Sequence, residues 1–220
     1  MSSEEMIKND VFKELKTYVD MIISQNEDNL EKSFINIEKI ARNLGITDFQ
    51  QVSPAEMERV KKEFFNKHAF LMGTVIFLNK EDTPQKQRFS IAHEIFHHLS
   101  QRESNDEIQA VARHGEAWKK ENAGSANAFI EIIADYFAAN LLIPTEHFIL
   151  LEDKTDEEIA NTFGVEPKCI RKRRGEIEQE IALLTPENLS SDVKVENKAP
   201  LSLNELDRIL EGHCANEGQA

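Results

Sequence analysis

The segment His93-Glu94-Ile95-Phe96-His97 constrains the fold more than any other part of the sequence. Thr83-Pro84 predicts the start of a long helix that ends near Gln101, so the two histidines lie four residues apart on one helical face. The other side of this helix is strongly apolar, with Phe89, Ala92, Ile95, Phe96 and Leu99. The pattern therefore predicts a core helix that presents two imidazoles to one point, not a solvated helix with incidental histidines.

Two histidines at this spacing can bind one metal ion, and the glutamate between them can reach a water molecule on that ion. Zinc binds histidine nitrogen in tetrahedral sites and lowers the pKa of a bound water to about 7. Glu94 is then positioned to take the proton as the water attacks a carbonyl group. The motif predicts a zinc-dependent hydrolase with His93 and His97 as ligands and Glu94 as the general base.

A catalytic zinc site needs a third protein ligand, and we expect it on a later helix. The extended motif that continues with glycine and histidine is excluded, because Ser100 and Glu103 occupy those positions. Glu131 lies between two isoleucines on a strongly apolar helix, where an unpaired carboxylate is costly. Asp135 follows on the same face and is expected to accept a hydrogen bond from the free N–H of a ligand histidine.

Other roles stay open at this point. Glu131 and Asp135 can also be interpreted as part of the solvent-exposed face of an amphipathic helix. The weaker candidates for the third ligand are Glu116 and Glu146. The candidates for a donor to the tetrahedral intermediate are Tyr136, His114 and His147. His98 points about 100° away from His97 and is expected to have a structural or surface role.

Charge and composition narrow the possible partners. The net charge of −14 repels phosphates, so membrane binding and direct DNA binding by the whole protein are disfavoured. The N-terminus lacks the features of a signal peptide, and no apolar run approaches the ~20 residues of a membrane span. We therefore expect a cytoplasmic protein, with Cys169 and Cys214 as free thiols.

The distribution of periodic segments predicts an α+β protein that is mostly helical. Residues 69–79 are the clearest β segment and read as one strand, or as two strands broken at Gly73. Helices are predicted at 10–24, 31–44, from Ser53 onward, 84–101, 125–142, 155–163 and 167–184, with weaker ones at 109–120 and 201–211.

Residues 155–174 follow the pattern of a helix-turn-helix. The basic residues of its second helix are Lys168, Arg171, Lys172, Arg173 and Arg174, which favours DNA recognition. However, residues 151–186 contain six basic and nine acidic residues, a net charge of −3. The alternative is a packing module that supports the cleft or docks the substrate, and we prefer it because phosphate contact requires a positive field.

Two longer motifs resemble a known family. RFSIAHEIFHHL (88–99) is similar to the RFxxAHExxH helix of the ImmA/IrrE zinc metallopeptidases, and EIIADYFAANLLIP (131–144) to their ExxA(N/D)xFAAxLLxP helix. The strand TVIFLN, the segment NIEKIARNLGI and the later IANTFGVEPKCIRKR also resemble that family, over about residues 30–180. The resemblance implies a minimal zincin-like fold with His93, His97 and Glu131 as zinc ligands and Glu94 as the base.

The periodic segments and composition give the expected domain organisation, and the resemblance implies the substrate class. The expected parts are an N-terminal helix (1–30), a zincin-like metallopeptidase domain (31–150), a helix-turn-helix-like helical unit (151–186), and a linker with a C-terminal tail (187–220). The implied substrates are helix-turn-helix repressors of prophages, mobile elements or stress responses, cut at one limited site. The chain departs from the family pattern by a longer insert between His97 and Glu131, and beyond residue 187 it matches nothing in that pattern.

Two functional hypotheses follow. The first is an endopeptidase that takes an extended substrate segment along the edge of the strand at 74–79, with residues 103–124 restricting access as a lid. The second is a non-catalytic regulator of DNA or protein, or a toxin–antitoxin or immunity partner, with a vestigial metal site. The intact Glu94 favours the first, because a binding module needs no base beside the metal.

Overall fold

The structure, a computed structural model, describes residues 3–26, 30–31, 34–60, 67–102 and 126–184. The described helices are α1 (Ser3–Ser24), α2 (Ile37–Asn43), α3 (Pro54–Val60), α4 (Pro84–Ser100), α5 (Ala126–Leu142), α6 (Thr145–Ile149), α7 (Asp156–Phe163) and α8 (Pro167–Leu184). The described strands are β1 (Leu30–Glu31), β2 (Phe34–Ile35), β3 (Asp48–Val52), β4 (Ala69–Met72) and β5 (Val75–Asn79). The predicted α+β class, mostly helical with a small sheet, is confirmed.

The larger sheet has three strands in the order β3-β5-β4. β5 pairs in parallel with β3 and antiparallel with β4, so both of its edges are occupied. Gly73 has a φ of 62°, a left-handed conformation that suits glycine, and the segment 69–79 is therefore two strands broken at that residue. The expectation of a free substrate-binding edge at 74–79 is wrong, because the edge strands among those described are β3 and β4.

Residues 31–44 do not form the single predicted helix. Residues 30–35 contain the antiparallel pair β1 and β2, and α2 begins only at Ile37. Asn36 explains this start, because its side chain accepts a hydrogen bond from the backbone N–H of Lys39 at 3.1 Å and caps the helix. The apolar residues before Asn36 happen to continue the helical spacing. The strand β3 was not predicted, since none of its side chains is buried.

The core packs α4 against α5, and α1 also packs against α5. The rings of Phe96 and Phe137 pack between α4 and α5, with their centroids 5.8 Å apart. The fully buried residues of α1 include Val11, Leu15 and Val19. His98 is buried in a structural role, as expected, with its Nε2 3.2 Å from the carbonyl oxygen of Leu44. This packing leaves the remaining side of α4, with His93 and His97, facing a cleft.

The C-terminal helix pair is joined to α5 by a buried cation. A capping box between Thr155 and Glu158 starts α7, and Gly164 ends it with a φ of 65°. Arg173 on α8 is fully buried and donates to the carbonyl oxygen of Ile143 at 3.2 Å and to Asn140 Oδ1 at 2.7 Å. Its Nη2 also lies 2.8 Å from the hydroxyl oxygen of Thr145. These bonds hold α8 against the end of α5.

Residues 1–179 form one compact unit. The second unit, residues 180–220, is described only over the last residues of α8. The weaker helices expected at 109–120 and 201–211 lie outside the described residues, as does Cys214. None of the described helices combines the length and the apolar character that a membrane crossing requires. The four-part division of the chain given above stays a prediction.

Candidate metal centre

Three side chains from two helices converge on one point. His93 and His97 project from successive turns of α4, and Glu131 projects from α5. The Nε2 atoms of the two histidines are 3.1 Å apart. Glu131 places one carboxylate oxygen 3.1 Å from His93 Nε2 and the other 3.5 Å from His97 Nε2. One ligand atom from each residue lies within 4.8 Å of the other two, which is a geometry that can hold a metal ion.

The donor set fits zinc. Bonds of about 2.0–2.1 Å around a tetrahedral ion separate neighbouring ligand atoms by roughly 3.3 Å, close to the distances between these side chains. Two imidazole nitrogens and one carboxylate match a catalytic set that leaves the fourth position open. The three side chains are 16%, 21% and 47% exposed, so solvent and substrate can reach that position.

Asp135 lies on α5 one turn after Glu131 and binds the other nitrogen of the His93 ring. Its Oδ1 is 3.0 Å from His93 Nδ1. A carboxylate in this position accepts a hydrogen bond from Nδ1, and when the ring is neutral it leaves the lone pair of Nε2 directed at the point shared with His97 and Glu131. The second oxygen, Oδ2, is 3.6 Å from the ammonium nitrogen of Lys172 on α8. Asp135 therefore connects the candidate ligand His93 to the helix pair.

Burial and the neighbouring charges shift the pKa values of the two histidines in opposite directions. Burial disfavours a charged His93, but its hydrogen bonds to Asp135 and Glu131 prevail and raise its pKa to about 9. Burial and the neighbouring charge of His93 lower the pKa of His97 to about 4. The hydrogen bond to His93 holds the pKa of Glu131 below its usual value. Displaced pKa values of this kind are typical of functional clusters.

Glu94 is buried beside the three candidate ligands and lines the same cleft. Burial raises the pKa of its carboxyl group to about 7, against the opposing charge of His93. A backbone hydrogen bond from Leu71 on β4 also acts on this carboxyl group. The side chain is thus held between α4 and the edge strand β4, and a carboxyl group that titrates near neutral pH can accept a proton there.

The cleft has a volume of about 350 Å³ and lies between α4, α5 and β4. Its lining includes two residues that the sequence analysis missed, Lys67 and His68. The Oδ2 atom of Asp82 lies 3.0 Å from Nδ1 of His68 and holds the imidazole ring at the start of β4. No motif marks these two residues, because their place in the cleft follows from the antiparallel pairing of β4 with β5.

The weaker candidates for ligand and donor lie elsewhere. Tyr136 stacks on Phe12 of α1 at 4.2 Å between ring centroids and does not line the cleft. Glu146 is exposed and lies 3.6 Å from the ammonium nitrogen of Lys16, and His147 is also outside the cleft lining. The remaining two, His114 and Glu116, fall outside the described residues.

The mostly helical α+β fold and the three clustered side chains that can hold a metal ion are compatible with a metallopeptidase domain. The model of a peptidase family, M78, described as the IrrE N-terminal-like domain, matches residues 41–174. The chain belongs to this family. The match spans the described part from α2 to α8, including both motif helices, and it confirms the resemblance stated above.

Comparison with solved structures shows a distant likeness to a transcriptional regulator. A Mycobacterium tuberculosis transcriptional regulator is 15% identical in sequence to this chain, over 74% of this chain and 51% of the regulator. The TM-score between the two structures is 0.39. The chain thus spans about half of the length of that protein. No curated protein sequence matches the chain significantly.

Proposed function

We propose that the protein is a zinc-dependent endopeptidase that makes a limited cut in a cytosolic protein. His93, His97 and Glu131 are the proposed zinc ligands and Glu94 the general base. One observation carries this proposal: two imidazoles and a carboxylate converge within 4.8 Å beside a buried glutamate in an open cleft. Membership of a metallopeptidase family supports it.

The protein side chains divide the chemistry between them. A zinc ion held by His93, His97 and Glu131 would supply a water of lowered pKa and would polarise the scissile carbonyl group. Glu94 accepts the proton of the attacking water and passes it to the nitrogen of the departing amine. Asp135 keeps the ring of His93 in the tautomer that can bind the ion.

The edge strand β4 is the proposed docking place for an extended substrate segment. β4 pairs with β5 on one side, and among the described strands none pairs with its other side. Ala69, Phe70 and Leu71 of this strand line the cleft beside Glu94. An extended segment can add to such an edge through backbone hydrogen bonds, whereas a folded helix cannot. A cleft that lies beside a sheet edge favours a cut in a linker or exposed strand.

The proposed substrate is a helix-turn-helix repressor of a prophage, mobile element or stress response. The resemblance of the two motif helices to the ImmA/IrrE peptidases supports this substrate class. Because the protein is strongly acidic, it would meet the repressor away from DNA or at the end that does not bind DNA.

Co-expression with a repressor encoded next to this protein tests the substrate. We expect one cut in the repressor, located by mass spectrometry of its fragments, and no cut when the partner is the Glu94→Gln variant. Casein serves as the control for unrestricted proteolysis. Digestion of casein at many sites, with the repressor left intact, would contradict the proposal.

Zinc content provides a test that does not depend on activity. The purified protein is expected to retain one zinc per chain after dialysis, and Glu131→Ala is expected to lose it because two histidines alone bind weakly. Glu146→Ala is the matched control, since Glu146 is exposed and outside the cleft. If Glu131→Ala binds zinc as tightly as the parent, Glu131 is not a ligand.

A further inference from the structure

Three consecutive cations of α8 contact three different parts of the protein. Arg173 is buried against the end of α5, and Arg174 pairs with Asp156 of α7 at 3.1 Å. Lys172, the first of the three, places its ammonium nitrogen 3.6 Å from Asp135 Oδ2. Asp135 uses its other oxygen, 3.0 Å from His93 Nδ1, to hold the candidate ligand ring. The chain of contacts runs from the helix pair into the metal centre.

We propose that Lys172 is a positioning residue for the metal centre, holding the Asp135 carboxylate in the orientation that orders His93. This inference rests on the proposed function, because it takes His93 as a zinc ligand. It assigns to the helix-turn-helix-like pair a role in building the peptidase site. The basic residue contacts the carboxylate of its own protein in place of a DNA phosphate.

A carboxylate needs such a partner in this position. The terminal torsion of aspartate is broad, so an aspartate held through one oxygen can rotate and weaken its bond to the ring. Asp135 is 42% exposed, which allows water to compete for both oxygens. An ammonium group at Oδ2 leaves Oδ1 for His93 and offsets part of the negative charge that Asp135 and Glu131 place beside one another. The contact therefore favours the metal-binding tautomer.

The position of Lys172 along α8 is well defined, because Arg173 beside it is 0% exposed and fixes the rotation of the helix. Exposed ion pairs contribute little to folding stability, so removing Lys172 should not unfold the protein.

Zinc affinity, measured by competition with a chromophoric chelator on the full chain, tests the proposal. Loss of a direct partner of a ligand histidine weakens metal binding by about 10–100-fold, and we expect a smaller loss of about 3–10-fold for Lys172→Ala. Lys172→Arg should restore affinity to within about twofold because it keeps the charge. Lys168→Ala, which removes an exposed lysine of the same helix paired with Glu166 at 2.8 Å, should leave affinity unchanged.

A double variant identifies the route of the effect. In the Asp135→Asn background, the further change Lys172→Ala is expected to have no additional effect on zinc affinity, because the partner charge is gone. An equal loss in both backgrounds would reject the Asp135 route. The effect of Lys172→Ala should also shrink in 1 M salt. The Debye length there is only about 3 Å, so the attraction between Lys172 and Asp135 is screened.

The results separate the two levels of inference. If the parent protein binds no zinc, the proposed function fails and the role of Lys172 fails with it. If the parent binds zinc and Lys172→Ala binds it equally well, only the role of Lys172 is rejected. An unchanged urea midpoint of the zinc-free Lys172→Ala variant, together with weaker zinc binding, supports a local effect on the site.

Discussion

Replacing Glu94 by glutamine is expected to lower kcat by about 10²–10⁴ while the fold and the bound zinc stay unchanged. The amide has nearly the shape of the carboxylate, so the buried position beside β4 can accommodate it. It cannot accept the proton of the attacking water, and catalysis then depends on the remaining groups of the cleft. The loss should appear in kcat, with KM little changed, because the proposed role of Glu94 is in proton transfer at the reacting atoms and not in binding the substrate segment.

The measurement is cleavage of the repressor by the two proteins at equal zinc content. Glu146→Gln is the matched control, an identical change at an exposed glutamate that does not line the cleft. Cleavage by Glu94→Gln at the parental rate would remove Glu94 from the mechanism. The rival hypothesis, a regulator or immunity partner that acts by binding alone, predicts equal biological effects for the parent and the variant.

Replacing Arg173 by alanine is expected to lower the free energy of unfolding by about 3–5 kcal/mol, a loss typical of removing one partner of a buried charged network. The guanidinium group is fully buried and donates hydrogen bonds to Ile143 and Asn140. Alanine leaves these acceptors without that donor and opens a cavity between α5 and α8. Urea denaturation with an unchanged m-value measures the loss.

Arg174→Ala is the natural comparison, because it removes the next cation of the same helix. Arg174 is 34% exposed, pairs with Asp156 and lies 5.1 Å above the ring of Phe148. Its loss is expected to cost about 1 kcal/mol or less, as for other partly exposed ion pairs. Equal destabilisation by the two substitutions would show that burial of Arg173 does not dominate the stability of the helix pair.

Strong periodic patterns made the two motif helices predictable from the sequence. The predicted helices 84–101 and 125–142 agree with α4 and α5 to within a residue, because caps and apolar periodicity act locally. The face shared by Glu131 and Asp135 follows from the same helical spacing, and the structure brings both carboxylates to His93. Their roles at a metal ion stay predictions.

The features that the sequence did not reveal depend on contacts distant in the chain. β3 carries no buried side chain, and only its pairing with β5 makes it a strand. Lys67 and His68 enter the cleft through the placement of β4. The basic run on α8 left DNA recognition as the alternative to the preferred packing role, and only the structure shows that Arg173 is buried and that Lys172 contacts Asp135. Whether a basic side chain is buried or exposed decides its role, and a run of charged residues in the sequence does not indicate which of them is buried.

The proposed ligands come from helices that are distant in the chain but adjacent in space. An ion bound by His93, His97 and Glu131 would close residues 98–130 into a loop, as a covalent cross-link does. Closing a long loop removes conformations from the unfolded chain, and the free energy of metal binding then adds to that of folding. The melting temperature would rise with the concentration of free zinc, by the linkage that holds for any ligand of the native state. In a cell with little available metal, the same protein would be inactive and also easier to unfold.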